Sequence, residues 1–93
     1  MREKVIEKKL VDEVKRRGGI CLKWVSPGFD GMPDRIVMMP GGKCGFVEVK
    51  APGKKPRALQ ESRHRTLEAL GFKVFVLYDP AQIGGVVDEI RTA

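Results

Sequence analysis

The sequence predicts a small α/β fold, one mixed sheet flanked by helices in the order α-β-β-β-α-β-α. Three observations predict it. Apolar residues recur at helical spacing near the N-terminus and again between residues 57 and 70, with three short strand-like runs lying between them. Two of those runs are separated by Pro40-Gly41-Gly42, a turn signal for an antiparallel hairpin. The last run, Lys73 to Leu77, is continuously apolar rather than alternating, as in a strand covered on both faces.

Taken in order, the first helix is expected over Glu3 to Arg17, where Ile6, Leu10 and Val14 follow the helical repeat and Gly18-Gly19 stops it. Glu7 borders that apolar face, and Glu3 lies one turn earlier on the same side. For each, a solvated carboxylate with its stem along the core edge is the plain alternative. Ile20 to Val25 reads as a strand. Ser26 to Gly31 reads as a loop set by proline and glycine, either a plain connection or a place where backbone approaches a ligand. Asp34 to Met39 and Gly45 to Lys50 are the next two strands, and Pro52, which cannot donate to a ladder, ends the second of them. Gly53-Lys54-Lys55-Pro56-Arg57 is a basic loop. A helix over Arg57 to Leu70 follows, with Pro56 near its start and Gly71 as its stop. Leu59, Leu67 and Leu70 are its expected apolar side, and Gln60, His64 and Leu67 form a neighbouring stripe where helix meets sheet. This helix is a crossover, so the strand Lys73 to Leu77 should pair in parallel with Gly45 to Lys50, with the usual right hand. A short helix over Ile83 to Ile90 closes the chain.

At 93 residues the chain is expected to be a single domain near the small end of what folds on one core. No apolar run is long enough for a membrane span, and the amphipathic N-terminus lacks the apolar centre of a signal peptide. Cys21 and Cys44 lack the spacing of a zinc site and are expected as reduced, largely buried side chains. Eighteen basic residues give a net charge of +6, a field that favours polyanions, nucleic acid before anionic membrane.

The placement of the acids sharpens that reading. In a hairpin of the two middle strands, Asp34 comes close to Glu48 and Lys50, and strand alternation puts Phe46, Glu48 and Lys50 on one side. Two carboxylates and an ammonium at one sheet edge suit a divalent metal and a phosphate. Magnesium and manganese take hard oxygen ligands, which Asp34, Glu48 and the Val49 carbonyl can supply. Lys50 would stabilise charge growing on the phosphate. Gln60 would hold the nucleophile or a phosphate oxygen. A same-face ion pair between Glu48 and Lys50 on an exposed strand is the plain alternative.

The runs Gly31-Met32-Pro33-Asp34 and Phe46-Val47-Glu48-Val49-Lys50-Ala51-Pro52, followed by Gln60, resemble the VRR-NUC (virus-type replication-repair nuclease) domain of the PD-(D/E)XK nuclease superfamily. The resemblance spans nearly the whole chain and is closest to stand-alone phage or bacterial members. It implies a restriction-endonuclease-like α-β-β-β-α-β core, a requirement for Mg2+ or Mn2+, and DNA cleavage, most simply at four-way (Holliday) junctions. Flap or nicking activity with partner proteins, or DNA binding without cleavage, are the other readings. Asp34 and Glu48 match the family's metal-binding acids, Lys50 its catalytic lysine, Val49 its backbone carbonyl on the metal and Gln60 its helix glutamine. Glu7 matches the helix-one glutamate on the metal, with Glu3 its rival. The same reading makes Lys23, Arg35, Lys54, Lys55, Arg57 and Arg63 candidate DNA phosphate contacts. His64 is expected on the helix surface or at a phosphate rather than on a metal. Trp24 and Phe29 are candidates to stack on exposed bases or to wedge at a branch point, although core packing or a dimer contact is the simpler fate of Trp24. A homodimer is expected, since one site cuts one strand at a time, and the expected location is the cytoplasm of a bacterial or phage-infected cell.

Overall fold

The computed structural model describes residues 2–93. Helix α1 spans Glu3–Arg16 and is followed by strands β1 (Ile20–Lys23), β2 (Arg35–Met39) and β3 (Lys43–Val49). Helix α2 (Ala58–Ala69) then crosses to strand β4 (Lys73–Leu77), and a 3-10 turn, Pro80–Gln82, leads into α3 (Ile83–Arg91). The strands lie in sequence order, β1-β2-β3-β4, with the first three antiparallel and β4 parallel to β3. Both the hairpin and the parallel crossover are as the sequence predicts.

Strand alternation divides the sheet into two chemically different faces. Val37, Met39, Val47 and Val49 point one way and join Ile6, Leu10 and Val14 of α1 and Val86, Val87 and Ile90 of α3 in the apolar core. Burying side chains of this size stabilises the fold by about 1.5–3 kcal/mol each. On the other face, Phe46 meets Trp24 and Phe72 edge-to-face, with ring centroids 5.7 and 5.5 Å apart. Glu48 sits on that same face, under α2. Gly45 lets α3 cross β3 closely, since a Cβ there would stand 2.6 Å from Cγ1 of Ile90.

Some boundaries move by a residue or two, and each shift has a local cause. The first strand ends at Lys23, although the Trp24 amide still donates to the Asp34 carbonyl at 2.8 Å. The 3-10 turn before α3 is nucleated by Asp79, whose carboxylate accepts from the Ala81 amide at 2.9 Å. The larger correction concerns α2. Of the expected apolar side only Leu67 is buried, while Leu59 and Leu70 are exposed. The buried residues of this helix are Gln60, His64 and Leu67, because α2 covers a carboxylate as well as aromatic rings. Cys21 is buried, Cys44 is half-buried, and both are free thiols. Among the described residues no helix is long and apolar enough to cross a membrane.

Candidate active site

The site forms where β2 begins and β3 ends. Arg35 pairs with Val47, so the next step along the ladder sets Asp34 beside Glu48. Pro33 is fully buried and anchors the chain just before Asp34. One carboxylate oxygen of Asp34, Oδ2, accepts from the Val49 amide at 2.9 Å, tying the entry of β2 to the exit of β3.

Glu48 is the unusual residue, a carboxylate only 1% exposed. Two residues of α2, one helical turn apart, close on it. The Gln60 amide nitrogen donates to Oε2 at 2.9 Å, and the Lys50 ammonium stands 3.5 Å from the same oxygen. His64 Nε2 faces Oε1 at 3.6 Å, and neither of these two buried atoms has a hydrogen-bond partner among the described residues. Burial, then the charge and hydrogen bond of Asp34, push the Glu48 carboxyl up to about 7 against the opposing pull of Lys50. Burial likewise lowers the His64 imidazole below its usual value.

Asp34, Glu48 and Lys50 therefore converge as the sequence predicts. Gln60 joins them in a different role. Its oxygen accepts from the Arg57 amide at 2.8 Å and its nitrogen is given to Glu48, so the side chain spans from the start of α2 to the acid. Both polar atoms of its side chain are thus engaged, one on the Arg57 amide and one on Glu48. His64 is not on the helix surface, as the sequence suggested. It is buried against Glu48, and the signal was present in its i, i+4 spacing from Gln60.

Glu7 lies elsewhere. Its carboxylate accepts from the Arg35 guanidinium at 2.7 Å on the α1 side of the sheet, opposite the Glu48 face. Glu3 is exposed, so Glu7 is the helix-one acid that faces the sheet. Among the described residues no group of three or more His, Cys, Asp or Glu side chains stands together in a way that could hold a metal ion.

The basic candidates separate in the same way. Arg35 is spent on Glu7 and, at 3.5 Å, on the Cys21 carbonyl, so it is not a free phosphate contact. Arg63 donates to the Asp30 carbonyl at 2.7 Å and lies 3.7 Å over the Phe29 ring. Lys54, Lys55 and Arg57 are exposed on the loop between β3 and α2, immediately beyond Lys50. Lys23 is exposed on the opposite face, where it lines a shallow concavity with Lys4, Lys8 and Glu7.

A buried acid held beside a second acid and a lysine, on a sheet with an antiparallel hairpin and a parallel crossover strand, defines a PD-(D/E)XK-type nuclease core. A solved structure described as a VRR_NUC domain matches with a TM-score of 0.86 and 30% identity, over 92% of this chain and 94% of that chain. "Putative nuclease p44" of Acyrthosiphon pisum secondary endosymbiont phage 1 is 56% identical over 77 residues, which is 83% of this chain and 83% of the phage protein. No protein-family model matches the sequence. The chain belongs to the VRR-NUC nuclease family.

Proposed function

We propose that this chain is a divalent-metal-dependent endonuclease that hydrolyses phosphodiester bonds in DNA, with four-way junctions as its preferred substrate. The observation that carries the reading is the buried Glu48 carboxylate beside Asp34, with Lys50 over one oxygen and the other oxygen unpartnered. Two adjacent carboxyls, one pushed up to about 7, attract a cation strongly. Mg2+ or Mn2+ fits this donor set, held by Asp34, Glu48 and the Val49 carbonyl. Such an ion supplies polarisation of a phosphoryl oxygen and a water acidified enough to attack it.

The chain's own groups do the rest. Lys50, pinned near Glu48, faces the phosphate and stabilises the charge that builds on it. Gln60 holds the Glu48 carboxylate through one oxygen, with His64 packed beside the other, so that little reorganisation is needed when substrate arrives. Lys54, Lys55 and Arg57 continue the positive field along the backbone, where contacts position DNA without reading bases. A homodimer would present two such sites to a symmetric junction. This activity belongs with intracellular DNA, in the cytoplasm of a bacterial or phage-infected cell.

The test uses purified protein with labelled four-way junction, flap and linear duplex, each with Mg2+, Mn2+ or EDTA, and Lys50→Ala in parallel. Paired symmetric nicks in the junction, abolished by EDTA and by Lys50→Ala, are expected. Preferential cutting of the flap would replace the junction with a flap substrate. Bound but uncut DNA under every metal would leave a binding module.

A further inference from the structure

Beside the acids lies a feature that their chemistry does not use. The loop from Trp24 to Met32 leaves three large apolar side chains in water: Trp24 is 37% exposed, Phe29 44% and Val25 76%. With Pro27, Gly31 and Met32 they line an open concavity of about 330 Å3. Apolar groups grouped in this way, next to charged residues, mark a contact surface more often than chance exposure does.

The loop is already ordered. The Phe29 amide donates to the Ser26 carbonyl at 3.1 Å, and Arg63 Nε donates to the Asp30 carbonyl at 2.7 Å. Gly31, at φ +90°, sits so close to α2 that a Cβ would stand 2.8 Å from Cγ of Leu59. A ligand would therefore not have to order the loop, which removes a large cost of binding.

Its position ties it to the site. The Trp24 amide bonds the Asp34 carbonyl at 2.8 Å, and the Trp24 ring meets Phe46, two residues from Glu48 on the same face of β3. A phosphate at Lys50, beside the two acids, brings its own nucleotide to the loop. The chemistry on offer is two aromatic rings with a guanidinium stacked 3.7 Å over one of them. Aromatic faces and an arginine plane take the flat face of a base, and the cation complements the adjoining phosphate. Inside a duplex that face is covered by its neighbours and only base edges are presented.

We infer that the loop from Trp24 to Met32, with Arg63, is a stacking platform for one nucleobase that has lost its stacking neighbour, adjacent to a phosphate at Lys50. The platform rests on the nuclease reading above and adds a source of structure specificity to it. Substrates with an unpaired base engage it, and continuous duplex does not.

Trp24 is the single tryptophan of the chain and reports on the platform directly. The protein is titrated in EDTA, where nothing is cut, with a duplex carrying one unpaired nucleotide and with the same duplex fully paired. The bulged duplex is expected to quench Trp24 and to bind more tightly, and the paired duplex to leave its emission nearly unchanged. Phe29→Ala, at an exposed position, should weaken the bulged complex by roughly 5-fold to 100-fold and the paired one little. Equal quenching by both duplexes, binding without quenching, or equal weakening of both by Phe29→Ala would overturn the platform. If Mn2+ then supports cleavage while Trp24 stays silent, only the platform falls. If Trp24 distinguishes the duplexes but no metal supports cleavage, only the nuclease reading falls.

Discussion

Replacing Glu48 by glutamine should stabilise the metal-free protein above neutrality while changing it little in acid. The folded chain holds the Glu48 proton to about 7, whereas an unfolded glutamate releases it near 4.5. Between those values the folded state binds more protons than the unfolded one, so the Glu48 contribution to stability falls as pH rises. The gap corresponds to about 3 kcal/mol, present below 4.5 and lost by pH 8. Glutamine removes the ionisation, and with it the charge pair to Lys50, while keeping the side chain's shape. Its carbonyl can accept from Gln60 where Oε2 does now, and its amide can donate to the unpartnered His64 Nε2. The assay is equilibrium urea unfolding of both proteins in EDTA at pH 4.5 and pH 8, which cancels every titration the two chains share. The stability difference should swing by about 3 kcal/mol in favour of Glu48→Gln between the two pH values. Adding Mn2+ at pH 8 should raise the wild type alone. A difference independent of pH, or a variant less stable at pH 8, would show that Glu48 is already comfortable as a buried anion and would remove the electrostatic case for a cation.

Other substitutions probe the frame around it. Glu13, held down to about 2 by hydrogen bonds from Arg16 and then Arg17, adds stability above 4.5 that disappears as pH falls towards 2. Melts of wild type and Glu13→Gln should therefore differ at pH 6 and converge at pH 2. Gly45→Ala drives a methyl into Ile90 and should cost about 1–3 kcal/mol, part of which Ile90→Ala in the same chain should return. Urea midpoints of the two single variants and the double variant measure that coupling. Arg35→Gln leaves the half-buried Glu7 unpaired and should lower the melting temperature, with little change in the salt dependence of DNA binding. Lys54→Ala with Lys55→Ala should do the reverse, flattening the slope of log affinity against log salt by about one or two phosphate contacts.

What the sequence made legible follows from which forces act along the chain and which act across it. Helical and strand periods are local, and they placed the three α-helices, the four strands and the hairpin that brings Asp34 beside Glu48, while the 3-10 turn Pro80–Gln82 went unseen. The buried side of α2 was legible only in part. Leu59 and Leu70 look like core residues to any hydropathy pattern, yet they lie in water because the helix turns Gln60 and His64 to the sheet, where Gln60 bonds the Glu48 carboxylate. The pairing of Glu7 with Arg35 was equally hidden, since the two are 28 residues apart and meet only when α1 packs on the sheet. Arg35 then drops out of the basic surface, a loss that no count of charges along the chain could show.

The two faces of β3 explain why so small a core carries so costly a residue. Val47 and Val49 point into the apolar core while Glu48, between them, points the other way, so a shift of one residue in register would bury the acid among valines. A bare carboxylate in that position would cost several kcal/mol, so the apolar pattern and the Glu48 site enforce the same register. The strand order places Asp34 directly across from Glu48, and the Val49 amide then fixes the Asp34 carboxylate. Function and folding thus press on one hairpin from opposite sides. The apolar face stabilises it, and the acidic face destabilises it while Glu48 is ionised.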